Sequence, residues 1–233
     1  MTPWIIAHRG VTQVERENTI AAFTAALALR VDGVELDVRR TRDGVLVVHH
    51  DPTVHGQVIA ELSRMELQAI APHIPTLEAV LDVCGDRLWV DVELKEAGYE
   101  TEVVQQLQSR STANLVITSF HSPVVQTVKQ LLPSLSVGWL IAPAEQGEVV
   151  NVQTVLAQVR ELNADFLAPH VSLLTPDWLC HAHQHFLPLW VWTVNDRPTM
   201  QRLMGERAIA ALITDYSNWA LQLRELAISY SDP

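Results

Sequence analysis

The sequence predicts a single-domain α/β fold, a (β/α)8 barrel of the TIM type. Three observations carry that expectation. Short apolar runs alternate with longer helical patterns from one end to the other, the pair recurs eight times, and 233 residues is about the length at which eight such units close into a barrel. An open doubly wound sheet is the structural alternative. No repeat, low-complexity segment or linker interrupts the alternation, so residues 1–233 read as one domain.

The elements follow in order. Strand Trp4–Ala7 precedes helix Thr19–Leu29, and strand Val34–Val38 carries the alternation that marks a half-buried strand. After the turn residues Arg42-Asp43-Gly44, the short run Val45–Val48 reads as an extra hairpin strand paired with the second. Helix Thr76–Val83 completes that unit. The remaining pairs are Leu88–Glu93 with Tyr99–Gln108, Leu115–Thr118 with Pro123–Leu132, Ser136–Leu140 with Val152–Leu162, Asp165–Ala168 with Pro176–His185, Leu189–Val194 with Pro198–Arg207, and Ala211–Thr214 with Asn218–Leu226. Pro123, Pro176 and Pro198 stand where a first helical residue belongs, with Ser122 and Thr175 as hydroxyl caps before two of them.

Composition narrows the function. The 27 Asp and Glu outnumber the 16 Lys and Arg, a net charge of −11, and no basic run breaks the pattern. Nucleic acid and anionic membranes, which need concentrated positive charge, are therefore poor partners. An anionic small molecule remains open if a bound cation reverses the sign locally. No run approaches the roughly 20 apolar residues that span a bilayer, and the start Met1-Thr2-Pro3-Trp4 carries no basic, then apolar, leader pattern. The expected location is the cytoplasm, with Cys84 and Cys180 as two buried, reduced thiols. Hydrophobic periodicity leaves the oligomeric state open, a homo-oligomer included.

In such barrels the chemistry sits at the C-terminal strand ends. The first ends in His8-Arg9-Gly10, which alone reads better as a capping histidine beside a surface arginine than as a site. The second reads Val34-Glu35-Leu36-Asp37-Val38. Alternation puts both carboxylates on one face and the apolar residues on the other, toward the helices. The third repeats the pattern with Asp91, Glu93 and Lys95 on one face. Glu35, Asp37 and Glu93 then meet at the mouth as three hard oxygen donors, a set that fits Mg²⁺ or Ca²⁺ better than zinc. His50 ends the hairpin strand before Asp51-Pro52. With His8 it would bring a proton donor and acceptor that titrate near neutrality. His49, on the opposite face, reads as structural, and His181, His183 and His185 read as a solvated helix face.

His8-Arg9-Gly10, Glu17-Asn18-Thr19, Glu35-Leu36-Asp37, His50-Asp51, Val92-Glu93-Leu94-Lys95, Ser119-Phe120, Trp192-Thr193-Val194-Asn195 and Thr214-Asp215 together resemble the ordered motifs of glycerophosphodiester phosphodiesterases. The resemblance runs through essentially the whole chain. It implies that His8 and His50 form an acid/base pair, that Glu35, Asp37 and Glu93 hold one divalent cation, and that Arg9 and Lys95 hold the phosphate with Trp192 also at the substrate. It implies hydrolysis of a small phosphodiester to sn-glycerol 3-phosphate and an alcohol through a cyclic phosphate. The alternatives are a lyase or lysophospholipase D-like variant and a barrel that binds phosphorylated ligands without turnover. One departure is visible. Where relatives carry an inserted lobe, this chain keeps only Val54-His55-Gly56-Gln57 and a direct run from Ile70-Ala71-Pro72-His73 into Ile74-Pro75-Thr76-Leu77. Since loops over the mouth select substrates, that reduction implies an open site tolerant of varied head groups.

Overall fold

In the computed structural model, which describes residues 2–110, 112–143 and 150–229, the strands are β1 (Trp4–Ala7), β2 (Gly33–Arg40), β3 (Leu46–Val48), β4 (Thr53–Val54), β5 (Gln57–Val58), β6 (Trp89–Leu94), β7 (Leu115–Ser119), β8 (Ser136–Ile141), β9 (Phe166–Pro169), β10 (Leu189–Val191) and β11 (Ile209–Thr214). All the expected strands and helices fall within these residues, while Met1 lies outside them. Eight strands, β1, β2 and β6 through β11, run parallel, and β1 pairs with both β2 and β11, which closes the ring. β3 lies antiparallel on β2, with Val38 opposite Val48 and Arg40 opposite Leu46. The expected barrel and its hairpin strand are both present.

Alternation along the strands divides the apolar residues into two cores. Val34, Leu36 and Val38 of β2 and Val90, Val92 and Leu94 of β6 face the helices in one large buried cluster. Inside the ring Ile6, Val116, Leu140, Phe166, Ala168, Trp190, Ala211 and Ile213 form a second. Phe166 stacks on Trp190 with ring centroids 4.8 Å apart. Gly138 of β8 makes room for Phe166, because a Cβ there would lie 2.2 Å from its ring. At the strand N-termini Trp4 stacks on Trp89 at 4.5 Å. The lower interior is thus filled by aromatic rings, and the polar residues are left for the opposite end.

Local sequence sets the helix starts. Thr19 caps the helix Ile20–Leu29 by accepting from Ala22 N, and Thr76 caps Leu77–Cys84 by accepting from Ala79 N. Thr175 caps Pro176–Gln184 as expected, but the other two proline starts differ. Ser122 is the first helical residue after His121, and the cap before Arg197–Met204 is Asp196, which accepts from Thr199 N. The seventh strand is shorter than predicted. Ladder pairing stops at Val191, Trp192 keeps one isolated bridge to His170, and the chain then turns to deliver Asn195 to the mouth. Cys84 is buried as expected, whereas Cys180 is exposed. Its neighbours are apolar, but helical periodicity points Trp178, Leu179 and Ala182 inward and Cys180 outward.

The reduced insertion is a folded lobe. β4 and β5 are joined by the two-residue turn His55-Gly56, both with positive φ (50° and 77°), the conformation a tight hairpin of this hand requires. The helix Arg64–Ile70 follows, held by a reciprocal capping box between Ser63 and Glu66. Val47, Val54, Ile59, Leu67, Ala71 and Ile74 form the lobe's own buried cluster. Among the described residues no helix is long and apolar enough to cross a membrane.

Candidate active site

The loop after β1 builds one wall. Arg9 and Gly10 both have positive φ (57° and 84°), and a Cβ on Gly10 would lie 2.7 Å from that of Ala22, so glycine is required there. The turn aims Arg9 N at Glu35 Oε2, 3.0 Å away. The next motif, Glu17-Asn18-Thr19, has a task for each residue. Glu17 accepts from Arg9 Nη1 at 3.1 Å, Asn18 donates to Asp37 Oδ2 at 2.6 Å, and Thr19 caps the helix. His8 is held from behind, with Nδ1 2.7 Å from Asp215 Oδ1. Asp215 is held in turn by Asn195 Nδ2 at 2.6 Å. The His8 Nε2 edge faces Glu35 Oε2 at 3.9 Å.

β2 and β6 supply the floor. Their register places Glu35 beside Asp91 and Asp37 beside Glu93. Ligand atoms of Glu35, Asp37 and Glu93 lie within 4.8 Å of one another, and all three residues are buried. Lys95 Nζ sits 2.7 Å from Glu93 Oε1 and 3.3 Å from Asp37 Oδ1, and Arg9 Nε sits 3.2 Å from Asp37 Oδ2. Even so, Glu35 Oε1, Asp37 Oδ1 and Glu93 Oε1 lack a well-directed hydrogen bond, the last two meeting only the Lys95 ammonium. Each buried oxygen left this way costs about 1–3 kcal/mol. Three convergent orphaned carboxylate oxygens therefore fit a hard divalent cation.

The electrostatics agree. Burial, reinforced by Asp37 and Glu93, pushes Glu35 well above the usual carboxylate range, and burial lifts Glu93 to about 7. Asp91 is lifted by burial to about 8, even though Thr118 donates to its Oδ1 at 2.7 Å. Asp37 goes the other way. Burial opposes its charge, but Lys95, Arg9 and His50 together hold it below the ordinary value. Asp215 is also lowered, against its burial, by the hydrogen bond and charge of His8. Burial thus favours the protonated forms of Glu35, Glu93 and Asp91, while Asp37 keeps its charge.

The opposite wall carries His50, whose Nδ1 lies 2.8 Å from Asp51 Oδ1. Arg39, buried and paired with Glu96, donates from Nε to the His50 carbonyl at 2.8 Å and fixes that strand end. Trp192 donates from Nε1 to Ala168 O at 2.7 Å and meets Phe120 edge-on, centroids 5.4 Å apart. A cleft of about 330 Å³ is lined by His8, Arg9, Glu35, His50, Glu93, Lys95 and Trp192, together with Phe120 and His121. Asp37 lies beneath its floor. The structure thus brings together every residue expected at the mouth. It adds Asp215, Asn195, Asn18, Glu17 and Arg39 as supports, which sequence order quotes in part but cannot pair. His49 does not line the cleft, and His183 and His185 lie on an exposed face elsewhere.

Residues 8–218 match the glycerophosphoryl diester phosphodiesterase family. The chain belongs to that family. It is 29% identical over 92% of its length to a glycerophosphodiester phosphodiesterase of Caldanaerobacter subterraneus subsp. tengcongensis, of which it covers 95%. A glycerophosphodiester phosphodiesterase of Parabacteroides distasonis is 25% identical, with a TM-score of 0.84 over 97% of this chain and 98% of that one. A phosphodiesterase of Oleispira antarctica, solved in complex with the product sn-glycerol-3-phosphate, shares the fold with a TM-score of 0.85 at 21% identity, covering 96% of this chain and 97% of that one. As a glycerophosphoryl diester phosphodiesterase family member the chain is a phosphoric diester hydrolase, and the residues matched to the family span every segment that lines the cleft.

Proposed function

We propose that this enzyme hydrolyses glycerophosphodiesters to sn-glycerol 3-phosphate and an alcohol, with His8 and His50 as the acid/base pair over a divalent cation held by Glu35, Asp37 and Glu93. The observation that carries the reading is one cleft in which both imidazoles stand over three buried carboxylates with orphaned oxygens. The product complex of the Oleispira relative supports it. Mg²⁺ and Ca²⁺ both suit the donor set. Bound there, either supplies a Lewis-acid site that stabilises negative charge on phosphate oxygens.

The side chains supply the rest. Arg9 and Lys95 remain cationic, because the adjacent carboxylates outweigh the effect of burial on each, and both face the cleft to hold the non-bridging oxygens. One imidazole removes the proton from the glycerol C2 hydroxyl as that oxygen attacks phosphorus. The other protonates the alcohol oxygen as its bond to phosphorus breaks. Water then opens the cyclic phosphate while the two histidines exchange roles. Trp192 and Phe120 close the apolar side of the cleft against the organic part of the substrate.

Each positioned proton donor or acceptor contributes about 10²–10⁴ in rate. His8→Ala and His50→Ala are each expected to lose at least about 100-fold in kcat while cation binding, read calorimetrically, is unchanged. Turnover near the wild-type rate in either variant would remove that residue from the reaction.

A further inference from the structure

The cleft has a deep end that the chemistry above leaves unused. Asp91, Thr118 and Ile213 line it and are 1%, 1% and 2% exposed. Asp91 precedes Glu93 by two residues on β6, so it shares the inward face and stands about 6.6 Å nearer the strand's N-terminus. Its register partner on β2 is Glu35. Leu140 and Ile213, both of the apolar core inside the ring, wall this end, and Asp91 and Thr118 are its polar residues.

Asp91 carries an unanswered oxygen there. Thr118 donates to its Oδ1 at 2.7 Å, whereas its Oδ2 has no partner. The convergent donor group of Glu35, Asp37 and Glu93 does not include it. Arg9 Nε, another cleft atom without a well-directed hydrogen bond, at least faces the opposite charge of Asp37 Oδ2 at 3.2 Å. The charges that act on Asp91 are those of Glu93 and Asp37, both of its own sign. A buried oxygen in that state is costly, and beside a cleft a ligand can satisfy it. A hydroxyl is the group that fits. It donates to Oδ2 when Asp91 is ionised and accepts from it when Asp91 is protonated, whereas an amine or a carboxylate suits one state alone.

A glycerophosphodiester brings one such group to spare. Its phosphate meets Arg9 and Lys95, its C2 hydroxyl meets a histidine, and its C1 hydroxyl is left without a partner. We propose that Asp91, oriented by Thr118, binds the C1 hydroxyl of the glycerol unit and so selects substrates in which that hydroxyl is free, an inference that rests on the hydrolytic reading above. An acyl group on C1 removes the hydroxyl and drives an alkyl chain against the end closed by Leu140 and Ile213. Lysophospholipids are thereby excluded. The deep end of the cleft selects the glycerol, and the mouth leaves the head group free to vary.

Calorimetry in the presence of Mg²⁺ compares binding of sn-glycerol 3-phosphate with that of its analogue lacking the C1 hydroxyl and of the same handedness at C2. Wild type should bind the first at least about tenfold more tightly, the scale of one buried hydrogen bond to a carboxyl group. Asp91→Ala should bring the two within about twofold, whereas Asp91→Asn, which keeps a donor and an acceptor, should retain the preference. A general disturbance of the neighbouring carboxylates weakens both ligands alike and leaves their ratio unchanged. A wild-type ratio in Asp91→Ala would therefore overturn the proposal, as would equal binding, or none, by wild type. Should Asp91→Ala fail to fold, Asp91→Val decides by the same ratio. Comparable turnover of glycerophosphoethanolamine and its 1-acyl form would also overturn it. Turnover of glycerophosphoethanolamine without any preference for the C1 hydroxyl would remove this role of Asp91 and leave the hydrolytic reading standing. The preference in binding without turnover of any phosphodiester would do the reverse.

Discussion

Asp215→Asn is the perturbation that most sharply tests how the cleft is held. The wild-type carboxylate lies 2.7 Å from His8 Nδ1 and is locked by Asn195 at 2.6 Å, so it fixes both the ring orientation and the tautomer with Nε2 toward the cleft. In the proposed reaction it also stabilises the imidazolium formed when His8 takes a proton. A hydrogen bond to a charged group contributes about 1.5–3 kcal/mol. At about 1.36 kcal/mol per decade, removing it should lower kcat by about 10- to 150-fold with little change in KM. The assay is steady-state release of sn-glycerol 3-phosphate by wild type, Asp215→Asn, His8→Ala and the double variant. Because Asp215 acts through His8, the second substitution should cost almost nothing in the His8→Ala background. A kcat within twofold of wild type for Asp215→Asn, or a full additional loss in the double variant, would refute the argument.

Two further outcomes follow from the shifted acids and thiols. Burial holds Glu93 near 7 and Glu35 above its usual range, so these groups keep protons that a cation must displace, and Mg²⁺ or Ca²⁺ affinity should rise between pH 6 and 8 with proton release; calorimetry in buffers of different ionisation enthalpy checks this, and a pH-independent affinity would contradict it. Cys84, with its thiol pushed up to about 12 by burial, should resist a disulfide reagent at pH 7.5 while exposed Cys180 reacts, giving one modified thiol in the native protein and two in denaturant.

Much of this is legible in the sequence. The carboxylates of β2 and β6 share a face by alternation alone, and the apolar partners Val34, Leu36, Val92 and Leu94 fix which face is inward. What sequence could not give was pairing across the barrel. His8 and Asp215 are 207 positions apart, and nothing local in either strand end names the other. The lobe is reduced as expected, but its helix is not read from sequence, for a different reason. Its helix is seven residues long, too short for periodicity, although Ser63 and Glu66 at capping-box spacing were a readable start signal. Cys180 reads as buried because its stretch is apolar on average, but its angular position on the helix decides its exposure.

The central claim is best tested by measuring sn-glycerol 3-phosphate release from glycerophosphocholine and glycerophosphoethanolamine with Mg²⁺, with Ca²⁺ and with EDTA. Release is expected from at least one substrate with a divalent cation, abolished by EDTA and restored by returning the ion. Release that persists in EDTA would contradict the role of Glu35, Asp37 and Glu93, and no release from either substrate with either ion would contradict the reaction itself.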